Sequence, residues 1–458
     1  MAGEGLKIKQ RNSMKKFNPM YLILFTAIIA VAIAAWWLSR TFLEWEKPEI
    51  SLSQSVDAIG LQKNLDISFR DQITGIRTIS AAIYQDNQKH PIFSYDFRKG
   101  ELKDKTLKTE ILARNLKLHD GEAVLELKAT DYSWLSNTKT LSIKTRIDLL
   151  PPQITQLSIA HNINPGGTCL TVYRISKDVD LTGVQIDSDL YKGYSISIGG
   201  KPCYVVFFPI PSEVSKSTRM SIIAQDKGGN RAVSSIPFFI RNVKAFRSDS
   251  VNLADSFLDT KMPEFQQYEP QLRGRSNLET FVAVNEKMRL ENFAAIQEIC
   301  KKTESRQLWE GTFLRMKDGA PMALFGDKRT YIYMKSAIGA STHMGVDLAS
   351  TQNAPVEAAN NGIVLYAGYL GIYGNMVILD HGLGISTHYA HMNSIKVKPG
   401  QVVKKGEIIG NTGMTGFAGG DHLHYGMMVG NKFVNPIEWW DPHWIKDNVE
   451  GKLNIQVP

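Results

Sequence analysis

His422-Leu423-His424 is the stretch on which the reading of this chain turns. On a β-strand, residues i and i+2 point to the same face, so the two imidazoles address one point. Off a strand, they are two surface histidines. His343-Met344-Gly345-Val346-Asp347 offers an imidazole and a carboxylate four residues apart, a spacing that by itself arises by chance in many chains. Thr387-His388-Tyr389-Ala390-His391 adds two more imidazoles. In a regular strand these lie on opposite faces, and spacing does not say which one faces the site. Seven of the ten histidines fall between His343 and His443, and histidine is both the commonest metal ligand and the usual acid–base group near neutral pH. Two histidines, one aspartate and an open fourth position suit catalytic zinc, whereas closed structural sites are cysteine-rich. His-Glu-x-x-His, Gly-x-Ser-x-Gly and phosphate-loop motifs are absent, which removes support for the common rival hydrolases.

Further segments fall in order around these histidines. They are Pro355-Val356-Glu357-Ala358-Ala359 leading to Gly362, then Gly374-Asn375-Met376-Val377-Ile378-Leu379-Asp380-His381-Gly382, and Tyr389-Ala390-His391-Met392. Val397 to Gly400, Val403 to Gly406 and Ile409-Gly410-Asn411-Thr412-Gly413-Met414-Thr415-Gly416 carry glycine-spaced hairpins, and His422-Leu423-His424-Tyr425 closes the set. From about Phe325 to Pro436 the chain resembles the lysostaphin-type (LytM-like) peptidases, the M23 family of peptidoglycan endopeptidases. The resemblance implies one zinc per chain, held by His343, Asp347 and His424. It makes His391 and His422 the non-ligand catalytic pair, with His388 an extra. It also implies a small, mostly antiparallel β fold whose groove is open to extended peptide. One departure is Gly426, where relatives often carry an acidic residue, and this bears on how a ligand is oriented from behind. His381 reads as a turn residue and His443 as a surface residue, neither with a role.

The N-terminus decides the compartment. Tyr21 to Leu38 is uncharged and near the lower end of what spans a bilayer as a helix. Lys7, Lys9, Arg11, Lys15 and Lys16 precede it, which keeps that side cytoplasmic and sends the rest of the chain outside. Ala30-Val31-Ala32 and Ala32-Ile33-Ala34 resemble signal-peptide cleavage sites, but the apolar run continues through Trp36, Trp37 and Leu38, favouring an uncleaved inner-membrane anchor with the bulk of the chain periplasmic. The net charge of +8 suggests an anionic partner. No basic cluster interleaved with aromatics appears beyond the N-terminus, so an envelope surface is expected and nucleic acid is not.

At 458 residues, about three domains are expected. Residues 48–148 and 153–243 read as short alternating runs broken by turns, such as Val124-Leu125-Glu126-Leu127-Lys128. Leu149-Leu150-Pro151-Pro152 is a stiff linker between them. Leu125 to Asp131, with Asn137 after it, resembles Met220 to Asp226, with Asn230 after it. Two tandem immunoglobulin-like sandwiches are expected, with turn capping a commoner use of Asp131 and Asp226 than calcium. Residues 245–310 carry a helical stripe of Phe281, Val284, Met288, Phe293, Ile296 and Ile299 that calls for a neighbouring domain. Cys169 and Cys203 are either a disulfide or two buried thiols, and Cys300 is left over.

The expected fold class is mainly β: a basic cytoplasmic tail (1–20), a single transmembrane anchor (21–38), two immunoglobulin-like β domains (48–148 and 153–243), a helical connector (245–310), an M23-like zinc peptidase domain (311–440) and a C-terminal tail (441–458). The expected function is hydrolysis of peptidoglycan cross-links, with the immunoglobulin-like domains available to a protein partner. The alternatives are a catalytically silent wall-binding scaffold or activator of another hydrolase, and a lipoyl- or biotinyl-carrier-like domain, which leaves five histidines and an aspartate unexplained.

Overall fold

The computed structural model describes residues 19–42, 44–241 and 245–456. Lys7, Lys9, Arg11, Lys15 and Lys16 of the expected cytoplasmic tail lie outside the described residues. Helix α1 (Pro19–Phe42) contains a 20-residue apolar stretch, Met20–Ser39, of mean hydropathy 2.3 with none of it buried. At about 1.5 Å of rise per residue it is long enough to cross a bilayer core.

The rest of the chain up to Leu150, with Lys227–Asn230, forms one compact unit. Alternation builds it: in strand Gly121–Asp131 every second residue from Ala123 onward is buried, the signature of a strand with one face on a core. A three-stranded sheet (Glu49–Leu52, Gln62–Arg70, Asp104–Leu112) faces a five-stranded one that includes Ile76–Gln85 and Gly121–Asp131. Leu65, Ile67 and Phe69 from the first meet Ile79, Ile83, Leu125 and Leu127 from the second in one core. Asp131 caps its turn, accepting from Ser133 N and Oγ at 3.1 and 2.7 Å and from Asn137 Nδ2 at 2.9 Å.

The second unit, residues 151–226 and 231–458, holds another two-sheet sandwich followed by the helices and the histidine-rich segment. Cys169 and Cys203 lie on the paired strands Thr168–Ile175 and Lys201–Pro209, and both are free buried thiols. The pleat separates them: Cys169 opposes Phe208, and Cys203, five residues away, points to the other side. Accordingly Cys169 belongs to the sandwich core and Cys203 to the core shared with the histidine-rich segment.

An antiparallel sheet dominates this unit, in the order Ala320–Ala323, Val346–Ala349, Leu423–Val429, Ile385–Met392, Asn375–Gly382, Gly362–Tyr369, Val402–Val403. Its three central strands are buried on both faces. Val377, Leu379, Tyr389, Tyr425 and Met427 join a core with Phe207 of the second sandwich and with Trp309, Phe313 and Trp439. Met376, Ile378, Ala390 and Met428 point the opposite way, into helices α2 (Asp255–Tyr268), α3 (Asn277–Ala283) and α4 (Arg289–Cys300). The expected stripe supplies much of that contact: Phe281, Val284, Met288 and Ile296 are buried there, with Phe293 and Ile299 packed against them.

Three expectations need correcting. Of the expected C-terminal tail, the described residues 441–456 are not separate from the domain, because Trp444, Ile445 and Val449 on short helical turns enter the shared core. Residues 245–310 are not helical throughout, since Ser248–Asn252 forms a parallel strand beside Lys328–Tyr333. His381 is not a turn residue: it lies in strand Asn375–Gly382 and is fully buried, with Nδ1 2.7 Å from Asn361 O and Nε2 2.7 Å from Thr387 Oγ1.

Where the second sandwich meets the large sheet, Glu438 is buried, accepting from Asn164 Nδ2 at 2.6 Å and Thr168 N at 2.7 Å. A Cβ on Gly167 would stand 2.4 Å from the carboxylate, so glycine is required for this approach. Burial pushes the Glu438 carboxyl up to about 7 from its ordinary value of 4.5. The folded state thus binds this proton more tightly than the unfolded chain, and wild-type stability falls as pH rises between those two values and stays lowered above them. Denaturant unfolding of wild type and Glu438→Gln is expected to show the variant gaining on wild type by roughly 3 kcal/mol from a pH below 4.5 to one above 7. A gap that does not change with pH would overturn this.

Candidate active site

The strand register brings the candidate ligands together. Asp347 on Val346–Ala349 is directly opposite His424 on Leu423–Val429, whose other neighbour is Ala390, one residue before His391. Gly345 lets the first of these strands approach, because a Cβ there would meet the His424 ring at 2.7 Å and Tyr425 O at 2.6 Å. His343 precedes the strand and donates from Nδ1 to Leu324 O at 2.9 Å. That bond fixes the tautomer, so in the neutral ring the Nε2 lone pair points inward.

Three ligand atoms converge. His343 Nε2 and His424 Nδ1 each lie 2.9 Å from Asp347 Oδ1 and 3.0 Å from one another. His343 Nε2 thus faces a carboxylate oxygen and a second ring nitrogen, an arrangement that a shared cation stabilises. Two imidazoles and a carboxylate form a donor set suited to Zn2+ at about 2.0–2.2 Å. Burial alone would raise the Asp347 carboxyl, but the imidazoles of His343, His422 and His424 gathered against it outweigh that and hold the group well below the usual range. Burial lowers His424 to about 4, against the pull of Asp347, so the ring is neutral.

His391 and His422 flank this point. Their ring centroids are 4.9 Å apart, and His391 is 5.8 Å from His424. Each spends Nδ1 on a backbone carbonyl, His391 on Thr415 O at 2.9 Å and His422 on Gly420 O at 2.8 Å. In both, Nε2 is thereby free, and that of His422 lies 3.6 Å from Asp347 Oδ1. Burial, then the neighbouring His422 and His424, hold His391 well below the ordinary histidine value. Burial also opposes protonation of His422, but the hydrogen bond and charge of Asp347 outweigh it and raise that ring. His391 has φ of 61°, left-handed for a residue with a side chain, a conformation that only surrounding contacts sustain.

His388 points the other way. It is fully buried beside Phe433, with Nε2 3.0 Å from Ser386 Oγ, and burial lowers it to about 3. The strand alternation left open by sequence is thus resolved in favour of His391. His388 is also the cross-strand partner of Gly426. A Cβ at Gly426 would stand 3.2 and 3.3 Å from Phe433 and the His388 Cβ, so a side chain there needs these neighbours to give way slightly. Correspondingly, His424 Nε2 and His388 Nδ1 are buried without a hydrogen-bond partner among the described residues.

The histidines open into a cleft of about 790 Å³ that is also lined by Arg289, Phe293, Arg329, Tyr373 and Phe417. Arg329 stands 3.4 Å from Asp347 Oδ2. Sequence reading missed Arg329 and Thr415, because neither belongs to a histidine motif and only the fold brings them to the site.

The segment carrying these residues has known counterparts. Residues 341–436 match the profile of peptidase family M23. A DD-carboxypeptidase/endopeptidase (Mpg) of Neisseria meningitidis serogroup B is 40% identical over 95 residues, 21% of this chain and 22% of that protein. The peptidoglycan DD-endopeptidase ShyA of Vibrio cholerae is 38% identical over 96 residues, 21% of this chain and 22% of that protein. The chain therefore spans about a fifth of the length of these curated relatives. Among solved structures, the catalytic domain of the antimicrobial peptidase lysostaphin from Staphylococcus simulans is 28% identical, covering 29% of this chain and 98% of that one with a TM-score of 0.25. Residues 341–436, which include all five converging residues, are a peptidase family M23 domain.

Proposed function

We propose that this chain is a membrane-anchored zinc endopeptidase that hydrolyses the peptide cross-links of bacterial peptidoglycan. The observation that carries the reading is the meeting of His343 Nε2, Asp347 Oδ1 and His424 Nδ1 within 3.0 Å of one another, with two Nε2 lone pairs beside them. The similarity of residues 341–436 to proteins named for peptidoglycan endopeptidase activity supports the substrate class. Helix α1 serves as the anchor, which places the catalytic domain outside the cytoplasm. The two sandwiches are read as immunoglobulin-like spacers that hold the peptidase away from the membrane and offer a surface to a protein partner.

His343, Asp347 and His424 hold one zinc ion. When bound, zinc supplies Lewis acidity that lets water attack a peptide carbonyl near neutral pH. The chain's own groups handle the protons. His391 and His422 are Nδ1–H tautomers with free Nε2 atoms, so one accepts a proton from the attacking water and the pair returns a proton to the departing amine. Once protonated, the Nε2–H of either ring would donate to the negative charge that develops on the carbonyl oxygen. Arg329 steadies Asp347 through its other carboxylate oxygen.

The scaffold reading predicts lost ligand positions, and here the three ligand positions and the two flanking histidine positions are all filled. Full-length protein in detergent should carry about one zinc per chain and convert cross-linked muropeptide dimers to monomers, read by mass analysis. His424→Ala is expected to lose zinc, whereas His422→Ala and His391→Ala keep it and lose at least about a hundredfold in turnover. Full zinc in His424→Ala, or normal turnover in His422→Ala, would sink the residue assignment. Zinc without cleavage of any peptidoglycan would favour the scaffold.

A further inference from the structure

His391 is held by a loop that is itself held by helix α2. The loop runs between strands Ile408–Asn411 and Leu423–Val429. From within the peptidase domain, Thr415 Oγ1 donates to Met392 O and accepts from Asn375 N, each at 2.9 Å, and Phe417 N donates to Ile372 O at 2.8 Å. From outside it, two side chains of α2 grip the residues on either side of Thr415. Lys261, only 5% exposed, donates from Nζ to Met414 O. Glu264 accepts from Gly416 N at 2.7 Å and pairs with Lys261 at 3.3 Å. Between these anchors, Thr415 O accepts the Nδ1–H of His391. Phe417 adds an apolar plug, its ring 5.9, 6.1 and 5.5 Å from those of Phe257, Phe265 and Phe281.

A buried lysine is costly unless its charge is matched and its donors are used. The apolar packing of α2 against the sheet does not call for one. Its donor goes to a backbone carbonyl one residue from the acceptor that orients a catalytic imidazole. We propose that Lys261 and Glu264 are positioning residues for His391: they fix the Met414–Gly416 backbone so that Thr415 O selects the Nδ1–H tautomer and aims Nε2 at the reaction centre. The helical segment is then a working wall of the active site and not a cover to be removed before catalysis.

The inference rests on the catalytic reading of His391, and two readouts separate them. In zinc-loaded, full-length protein labelled with 15N-histidine, with His391 assigned by its loss in His391→Ala, the ring is expected as a single Nδ1–H tautomer in wild type. Glu264→Gln, which keeps the acceptor oxygen, is expected to preserve that tautomer and stay within about twofold of wild-type kcat, whereas Glu264→Leu shows mixed tautomers and a kcat lowered about tenfold or more, with KM and zinc content little changed. Should Glu264→Leu fail to fold, Lys261→Met reads the same grip through Met414 and is expected to mix the tautomers likewise. An unchanged tautomer and kcat in the folded variant would overturn the proposal. Equal losses in Glu264→Gln and Glu264→Leu would also overturn it, by assigning the effect to the ion pair. If no form cleaves peptidoglycan, the tautomer comparison still decides the positioning role, and the failure belongs to the proposed function.

Discussion

Everything at the cleft depends on one buried carboxylate. Asp347 is paired across the sheet with His424, touched by His343 and approached by His422 and Arg329. Removing such a charge from water is unfavourable unless cations or donors surround it. Arg329 and the surrounding imidazoles answer that requirement, those of His343, His391 and His422 each oriented by a bond from Nδ1 to a backbone carbonyl. The same arrangement gathers two inward lone pairs around one oxygen, which is a description of a metal site before any metal is considered. A local rule of charge burial thus also prepares the chemistry.

Rigidity comes from covering both faces of the sheet. Most antiparallel sheets leave one face to water, and their strands then alternate apolar with polar residues. Here the strands bearing His388, His391 and His424 are buried throughout. The second sandwich and the C-terminal helical turns fill one side, and α2 to α4 the other. A site held within fractions of an ångström needs supports of this kind, since loosening far from the reacting atoms is enough to slow a reaction. The left-handed backbone of His391 fits the same account, as a strained residue kept in place by contacts the catalytic strand does not itself supply.

The five converging residues lie in the M23 domain, yet the cleft is not made by it alone. Arg289 and Phe293 of α4 and the Asp187–Asp189 turn of the second sandwich also line it. Substrate access is thereby tied to segments outside residues 341–436. Chains sharing the catalytic motifs but not these segments would present the same chemistry in a differently shaped groove.

The sequence by itself determined the mainly β character, the apolar N-terminal helix and the identity of the M23 segment, because each is written in local period, composition or ordered motifs. The resemblance carried by those ordered motifs also named all five residues that converge in the cleft, which residue type and spacing alone did not. It left open whether His388 or His391 faces the site, because alternation gives opposite faces without saying which is inward; only the pairing of Ala390 with His424 decides that. The fates of Cys169 and Cys203 depended on the pleat, and the burial of His381 and of residues 444–449 on partners distant in sequence. Arg329, Thr415 and the grip of Lys261 and Glu264 were invisible for the same reason. Their significance lies in which backbone atom they meet, and that is settled only when the helices close over the finished sheet.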